Sequence, residues 1–493
     1  MDSILASLPL SILSRRFERG CLLIIAFWYA EASADTLWTK TYGGPNDDHG
    51  CSVIETADYG YLITGYTSSF GNGGFDLYVI KTNSAGDTLW TKTYGGTSND
   101  YGRSGQIAPG AGYAVGGYTW SFGQGGSDFY LVRIDQNGDT VWTRTYGGTG
   151  YDEAYSLAVT PDRGYLLAGS TNSFGAGAFD VYVVKTDSLG LMEWARTYGG
   201  TENDEAYSVQ PTQDGGYIVA GATRSFGLTD GAVYLIRIDS TGDTLWTKTF
   251  AWASDDRGYA VLPAADGSYI VAGSGYTVGL AYDMLYLKAT STGQSAWHTY
   301  NGGLRDDCAY AIREIPGRGY LIAGNFHHDV YIVQTDTGGN PLWGDMYGGV
   351  GQEAALAMDR THDDQYIITG HTSSQGAGGF DVYLIRYALA NQVIEAPAAG
   401  LDMRMIRVRP NPFCSSTSIE FEIGSTDRAF AQIFDYSGRL VKSLKENVRL
   451  PAPRHRLEWS GDDDTGQSLP SGVYFLRIAG GDAVGLVKLI LRR

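Results

Sequence analysis

The residues DTLWTKTYGG begin at Asp35 and return as DTLWTKTYGG at Asp87 and as DTVWTRTYGG at Asp139. The tryptophan of this peptide recurs as Trp38, Trp90, Trp142, Trp194, Trp246, Trp297 and Trp343, at gaps of 52, 52, 52, 52, 51 and 46 residues. A repeat of this length holds one supersecondary unit that cannot bury its apolar face alone, so its copies must stack, and several strands per copy point to a propeller. In the unit that starts at Trp38, TLWTKTY alternates apolar and polar residues, and CSVIET, YLITGYT and FDLYVIKT follow as three further short strands. Asn, Gly and Asp turns separate all four. The chain holds 68 Gly and 35 Tyr but only 14 Pro, as suits many short strands on tight turns.

Tyrosine follows each tryptophan by 23 positions (Tyr61, Tyr113, Tyr165, Tyr217, Tyr269, Tyr320, Tyr366). Glycine comes four positions later (Gly65, Gly117, Gly169, Gly221, Gly273, Gly324, Gly370). Seven glycines inside strands need a reason, either close approach of neighbouring sheets or a bulge. A fully buried Trp takes about 150–250 Å² out of water, at most roughly 4–6 kcal/mol, so seven of them would anchor a ring. The fourth strand of each unit turns directly into the next Trp strand. Each sheet is therefore drawn from three strands of one unit and the Trp strand of the next. The last unit ends at Tyr387 with no Trp strand behind it, and residues 35–44 fill that place. The expected fold class is all-β: a seven-bladed β-propeller over residues 35–387, closed by its N-terminal strand so that no sheet edge is left bare, followed by a small Ig-like β-sandwich.

Before the repeat, Arg15, Arg16 and Arg19 precede the apolar run CLLIIAFWYA and the small residues Ala32 and Ala34. The run is shorter than the roughly 20 residues a membrane helix needs, so residues 1–34 are expected to be a signal peptide cleaved near Ala34, with no transmembrane span in the mature chain. Cys51, Cys308 and Cys414 share no spacing, so neither a disulfide framework nor a metal site is expected, and they serve as small buried residues. The formal net charge is −18, and no basic stripe is present to neutralise phosphates, which argues against nucleic acid as a partner.

Residues 388–405 lose the repeat and form a linker. From 406 to 493 a second strand pattern appears. Pro410, Asn411, Pro412 and Phe413, then FDYSGRLV with Gly438, then Trp459 with GDDDTG, then Gly472 and Tyr474 in SGVYF, stand in order before a basic end at Lys488, Arg492 and Arg493. This segment resembles the C-terminal sorting domain of the type IX secretion system, and the preceding repeats resemble the seven-bladed propellers of secreted bacterial proteins. The resemblance implies export across both membranes of a double-membraned bacterium, to the medium or the outer-membrane surface, with the secretion machinery as partner. The competing explanation for the tail is an Ig-like spacer.

An acid stands ten positions after every tryptophan: Asp48, Asp100, Asp152, Asp204, Asp256, Asp307 and Glu353. Seven carboxylates at one mouth of a ring would suit a cation such as Ca²⁺ or a cationic group, whereas a carboxylate in a loop also caps that loop's N–H groups. No other cofactor is called for. Asp76, Asp128, Asp180 and Asp381 close the glycine-rich loops of type SSFGNGGFD on the same face, where exposed Phe and Gly offer a platform for a sugar or peptide. In the sixth unit that loop shrinks to NFHHDVY, and His327 and His328 mark a notch; on a strand the two would point to opposite faces. His298, His362 and His371 also belong to the last two units, although no H-x-x-x-H spacing is present. Neither a G-x-S-x-G elbow nor a phosphate loop is found. The expected function is extracellular binding of a glycan or peptide without catalysis. The alternatives are a polysaccharide hydrolase or lyase, which needs two of many carboxylates, and a structural surface-layer role.

Overall fold

The computed structural model describes residues 35–226, 230–277, 281–302, 305–389, 403–409, 413, 415–423, 429–435, 440–448, 454–470, 472–480 and 483–491. The expected signal peptide lies outside these residues, as do most of the linker, Pro410, Asn411, Pro412, Cys414 and Gly438. The described chain is all-β, and among the described residues no helix is long and apolar enough to cross a membrane.

Between Asp35 and Ala388 the strands form repeated four-stranded antiparallel sheets in a β-propeller arrangement. The first sheet runs from its innermost strand Asp48–Glu55 through Tyr61–Thr67 and Asp76–Thr82 to the outer strand Thr88–Tyr94. The sheets starting at Asp100, Asp152, Asp204, Ser254 and Cys308 repeat that order. The seventh takes Glu353–Arg360, Tyr366–Thr372 and Asp381–Ala388 from the C-terminal side and Asp35–Tyr42 from the other end of the repeat array. The pairing of Asp35–Tyr42 with Asp381–Ala388 extends from Asp35 opposite Ala388 to Tyr42 opposite Val382. Neighbouring sheets pack face to face. Leu62, Leu77 and Val79 of the first sheet meet Val115, Tyr130 and Val132 of the second. Val53, Tyr61 and Ile63 of the first meet Ile367, Val382 and Leu384 of the seventh, so the series returns on itself.

The seven tryptophans are half-buried rather than fully buried, because each lies on an outer strand. Trp38, Trp90, Trp142, Trp194, Trp246 and Trp297 each lean across a joint onto the repeat tyrosine of the next sheet, with centroids 5.8–6.5 Å apart. On the same strand Tyr42 donates its hydroxyl to the Gly86 carbonyl at 2.6 Å, a bond that Tyr94, Tyr146 and Tyr198 repeat to Gly138, Gly190 and Gly242. The anchors therefore work as inter-sheet buttresses, and each stabilises by less than a full transfer from water.

The recurring strand glycines are explained by a bulge. In every innermost strand one residue drops out of the ladder: Gly50 pairs with Gly65 and Ser52 with Thr64, leaving Cys51 between them. The same irregularity omits Arg103, Tyr155, Tyr207, Tyr259, Tyr310 and Leu356. The kink presses the innermost backbone onto the second strand. A Cβ at Gly65, Gly117, Gly169, Gly221, Gly273, Gly324 or Gly370 would land on the carbonyl oxygen two residues before the bulge.

The tail residues form two sheets. One joins Met403–Arg409, Thr417–Ile423 and Arg454–Trp459. The other joins Leu440–Val448, Ala429–Asp435, Gly472–Gly480 and Ala483–Leu491. Their inner faces share a core in which Trp459 stacks edge-on against Phe413 at 5.4 Å and Tyr474 at 5.3 Å. The GDDDTG motif is a tight turn: the Asp463 carboxylate accepts from the Thr465 and Gln467 N–H groups at 2.9 Å. Gly472 opens its strand.

Candidate functional site

Two sets of loops share one face of the ring: those entering each innermost strand (YGGTSND type) and those joining the second and third strands (SSFGNGGFD type). Antiparallel alternation places both at the same ends of their strands. The glycine-rich loops turn their phenylalanines outward. Phe70, Phe122, Phe174 and Phe226 are 44%, 45%, 44% and 56% exposed, and each leans on the third-strand tyrosine below it (Tyr78, Tyr130, Tyr182, Tyr234) at 5.5–5.8 Å. Trp120, 44% exposed, adds a ring beside Phe122 and packs on Tyr151. The loop face thus carries a crown of partly exposed rings over the first four units.

The ring of acids is placed differently from a ligand-binding set. Asp48, Asp100, Asp152, Asp204, Asp256 and Asp307 have no exposed surface, and Glu353 has almost none. Asp48 accepts from the Gly44 N–H and the Ser69 hydroxyl, both at 2.7 Å. Asp100, Asp152 and Asp204 take the matching bonds from Gly96, Gly148 and Gly200 and from Ser121, Ser173 and Ser225. Asp256 accepts from the Trp252 and Ala253 N–H groups and the Tyr300 hydroxyl, Asp307 from the His327 N–H, and Glu353 from the Gly349 N–H. Asp48, Asp100, Asp152, Asp204, Asp256 and Glu353 therefore tie their entry loops to their own sheets, whereas Asp307 holds the turn at His327; Asp48, Asp100, Asp152, Asp204 and Glu353 also open their innermost strands, three residues before the position that the pattern CSVIET suggests. Among the described residues no three of His, Cys, Asp or Glu converge as a metal site. The second acid series is also buried. Asp128 accepts from the Gln124 N–H, and burial first, with Asp152 across the joint adding to it, pushes its carboxyl up to about 6.

His327 and His328 are not strand residues on opposite faces. They are the two-residue turn of a hairpin in which Phe326 pairs with Asp329, at φ of 54° and 81°, the doubly positive backbone of a type I′ turn. The exposed phenylalanines belong to the first four loops; the seventh carries Gln375 at that position.

Inside the crown the bulge residues face the bore. Cys51, Arg103, Tyr155, Tyr207, Tyr259, Tyr310 and Leu356 each follow a repeat tryptophan by thirteen positions. The spacing is constant while the residue changes, and that contrast is the sequence signal that reveals them. Neighbouring rings touch in series: Tyr66 to Tyr101 at 5.0 Å, Tyr155 to Tyr207 at 5.7 Å, Tyr207 to Tyr259 at 5.2 Å and Tyr259 to Tyr310 at 5.1 Å. Tyr155 and Tyr207 donate their hydroxyls to Glu153 and Glu205. Cys51 is half-buried beside Arg103 rather than fully buried as expected, and Cys308 is buried; both are free thiols.

Two pockets open on the loop face. One of about 550 Å³ is lined by Asn46, Asp47, Ser68, Phe75 and Asn99, and its Phe75 touches Tyr66 and Tyr101 of the bore at 5.3 and 5.5 Å. The other, of about 310 Å³, lies where the repeat departs furthest from its pattern, at AWASDDRGYA. There Asp255, at φ 55°, holds Arg224, Arg257 and the Tyr282 hydroxyl. Nearby, Trp252 stacks flat on His298 at 3.8 Å.

The bore also contains a titrating pair. His49 and His371 pack edge to face at 4.7 Å, and each is lowered to about 4, first by burial and, for His49, next by His371. The unfolded chain takes up both protons near pH 6.5, but the folded chain does so only near pH 4. Stability is therefore complete above pH 6.5 and falls as pH drops toward 4. Allowing for partial water access, wild type should lose on the order of 3 kcal/mol over that window relative to a His49→Gln, His371→Ser variant, in urea melts run at each pH. Parallel pH profiles for the two proteins would refute the assignment.

No family model matches the chain. Over 280 residues it is 25% identical to Regulatory protein FlaEY of Caulobacter vibrioides, an alignment that takes in 50% of this chain and 29% of that protein, so the chain spans under a third of the length of this curated relative. Among solved structures it is similar to PorZ of Porphyromonas gingivalis, described as an essential bacterial surface component of the type-IX secretion system. The TM-score is 0.45 and the identity 13%, over 92% of this chain and 60% of that one. It is also similar to Sqt1 of Chaetomium thermophilum (TM-score 0.41, 10% identity, 73% and 99% covered) and to a puromycin hydrolase (TM-score 0.44, 13% identity, 78% and 60% covered).

Proposed function

We propose that the chain is an exported binding protein: a seven-bladed β-propeller whose loop face captures an extracellular glycan, followed by an Ig-like C-terminal domain that directs type IX secretion to the medium or the outer-membrane surface. The observation that carries the binding proposal is the set of partly exposed Phe70, Trp120, Phe122, Phe174 and Phe226 on a loop face that also opens into two pockets with polar groups in their walls. Aromatic faces stack on sugar rings and polar loop groups orient hydroxyls, the usual composition of such a site. The sorting proposal rests on the ordered motifs of residues 406–493 and on the Trp459–Tyr474–Phe413 core that they build.

A glycan array probed with the exported chain tests the first proposal. Binding to a defined glycan set is expected, with no release of reducing ends on prolonged incubation. Replacing Trp120 and Phe122 together by alanine should weaken that binding at least about fivefold, since two stacking rings contribute roughly 0.5–1.5 kcal/mol each. The melting temperature should move by no more than a few degrees, because both rings are nearly half exposed and lie outside the sheet cores. An array without signal would refute the glycan proposal, and steady release of reducing ends would replace it with the hydrolase alternative.

A further inference from the structure

Arg103 departs from the way this protein otherwise treats its bore. Four of the seven bulge positions hold tyrosine, and the other arginine of the bore, Arg257, is neutralised by Asp255. Arg103 has no carboxylate within ion-pair distance among the described residues. Its guanidinium lies 5.3–5.6 Å from the ring centres of Tyr66, Tyr101, Tyr118 and Tyr155. One Nη donates to the Tyr118 hydroxyl at 3.1 Å, and the other lies 3.9 Å from the Cys51 sulfur. Its Nε is buried without a partner. The carboxylates of the next two sheets, Glu153 and Glu205, are engaged by Tyr155 and Tyr207.

Tyrosine faces attract a cation but do not replace an anion in a water-poor site. The same cluster contains two more unsatisfied buried polar atoms, Nδ1 of His49 and Nδ1 of His371. His49 stacks on Tyr66, and Tyr66 in turn stacks on the Arg103 guanidinium. A folded protein rarely leaves several such groups unpaired in one place unless something else pairs them. On the two sheets counted back from Arg103 the bulge residues are Cys51 and Leu356, both shorter than tyrosine and without a ring, whereas four tyrosines occupy the other side. The two bulge seats on that side of Arg103 therefore carry no ring.

We propose that Arg103 is an oxyanion anchor: it takes the carboxylate or sulfate of an acidic sugar whose ring stacks on the surrounding tyrosines and whose hydroxyls reach His49 and His371. This rests on the glycan-binding proposal and sharpens it to an acidic class. A planar guanidinium suits both oxyanions, because its forked N–H groups match two oxygens at once.

The test is a titration of the exported full chain, at matched ionic strength, with D-glucuronate, glucose 6-sulfate, D-glucose and inorganic sulfate. An acidic sugar should bind at least tenfold more tightly than glucose, and the stronger of the first two identifies the oxyanion. Arg103→Tyr, which installs the residue of four equivalent positions and so should fold, is expected to abolish that preference with the melting temperature little changed. Arg103→Lys should recover only part of it. Undiminished acid binding by Arg103→Tyr would overturn the anchor, and so would inorganic sulfate binding as tightly as the sugars. A chain that binds neutral glycans through its loop face without preferring acids overturns the anchor alone, and one that binds no sugar of either kind overturns the glycan proposal with it.

Discussion

Deleting residues 35–42 is expected to lower the melting temperature by at least about 10–20 °C, or to abolish a cooperative transition, when intact and shortened exported chains are compared by calorimetry. That strand is the outer member of the seventh sheet, paired along Asp381–Ala388. It also carries a buttress across to the first sheet, with Trp38 against Tyr61 at 6.0 Å and the Tyr42 hydroxyl on the Gly86 carbonyl. Its loss removes a row of ladder hydrogen bonds, opens a joint between two apolar faces and bares an edge that recruits other chains. A loss of about 5 kcal/mol, at 2–4 °C per kcal/mol for a domain of a few hundred residues, gives the stated shift. A synthetic peptide of residues 35–44 should restore part of it when added to the shortened chain. An unchanged melting curve would show that the two ends of the ring do not depend on each other.

Gly169→Ala is the second large expectation. A Cβ at this position lands on the Glu153 carbonyl and within 2.8 Å of the Ala154 Cα, both backbone atoms of a bulged strand with sheets packed on either side. Neither can yield without unpicking the ladder around Tyr155, so one added methyl should destabilise by at least about 3 kcal/mol. The control is Gly215→Asn, in a turn where a Cβ meets nothing and where Asn tolerates the φ of 85°; it should stay within about 1 kcal/mol of wild type. Equal stability of the two variants would sink the bulge as the reason for the recurring glycine.

The contrast between those two glycines also shows what was legible beforehand. Strand count, turn positions and the closing role of residues 35–44 follow from spacing, because hydrophobic period and turn chemistry are local. The bulge is not local. It depends on the register between Asp48–Glu55 and Tyr61–Thr67, and the sequence shows only its shadow, a glycine on one strand opposite a variable residue on the other. The acids were correctly located along the chain, but the choice between capping and ligand binding turns on burial, which spacing does not encode. His327 and His328 read as strand residues because a hairpin with two non-glycine left-handed positions carries no turn signature. The tryptophans looked like core anchors because an outer strand and an inner one alternate alike.

The extra residue in every innermost strand has a wider consequence. Because it belongs to no ladder pair, the backbone lattice places no demand on its chemistry: a thiol, a guanidinium, four phenols and a branched alkyl group occupy equivalent seats. Copying a unit thus duplicates the frame, while the seat can be revised without altering it. The interior of the ring behaves as a lock with seven tumblers, each reset by one codon, whose neighbours touch.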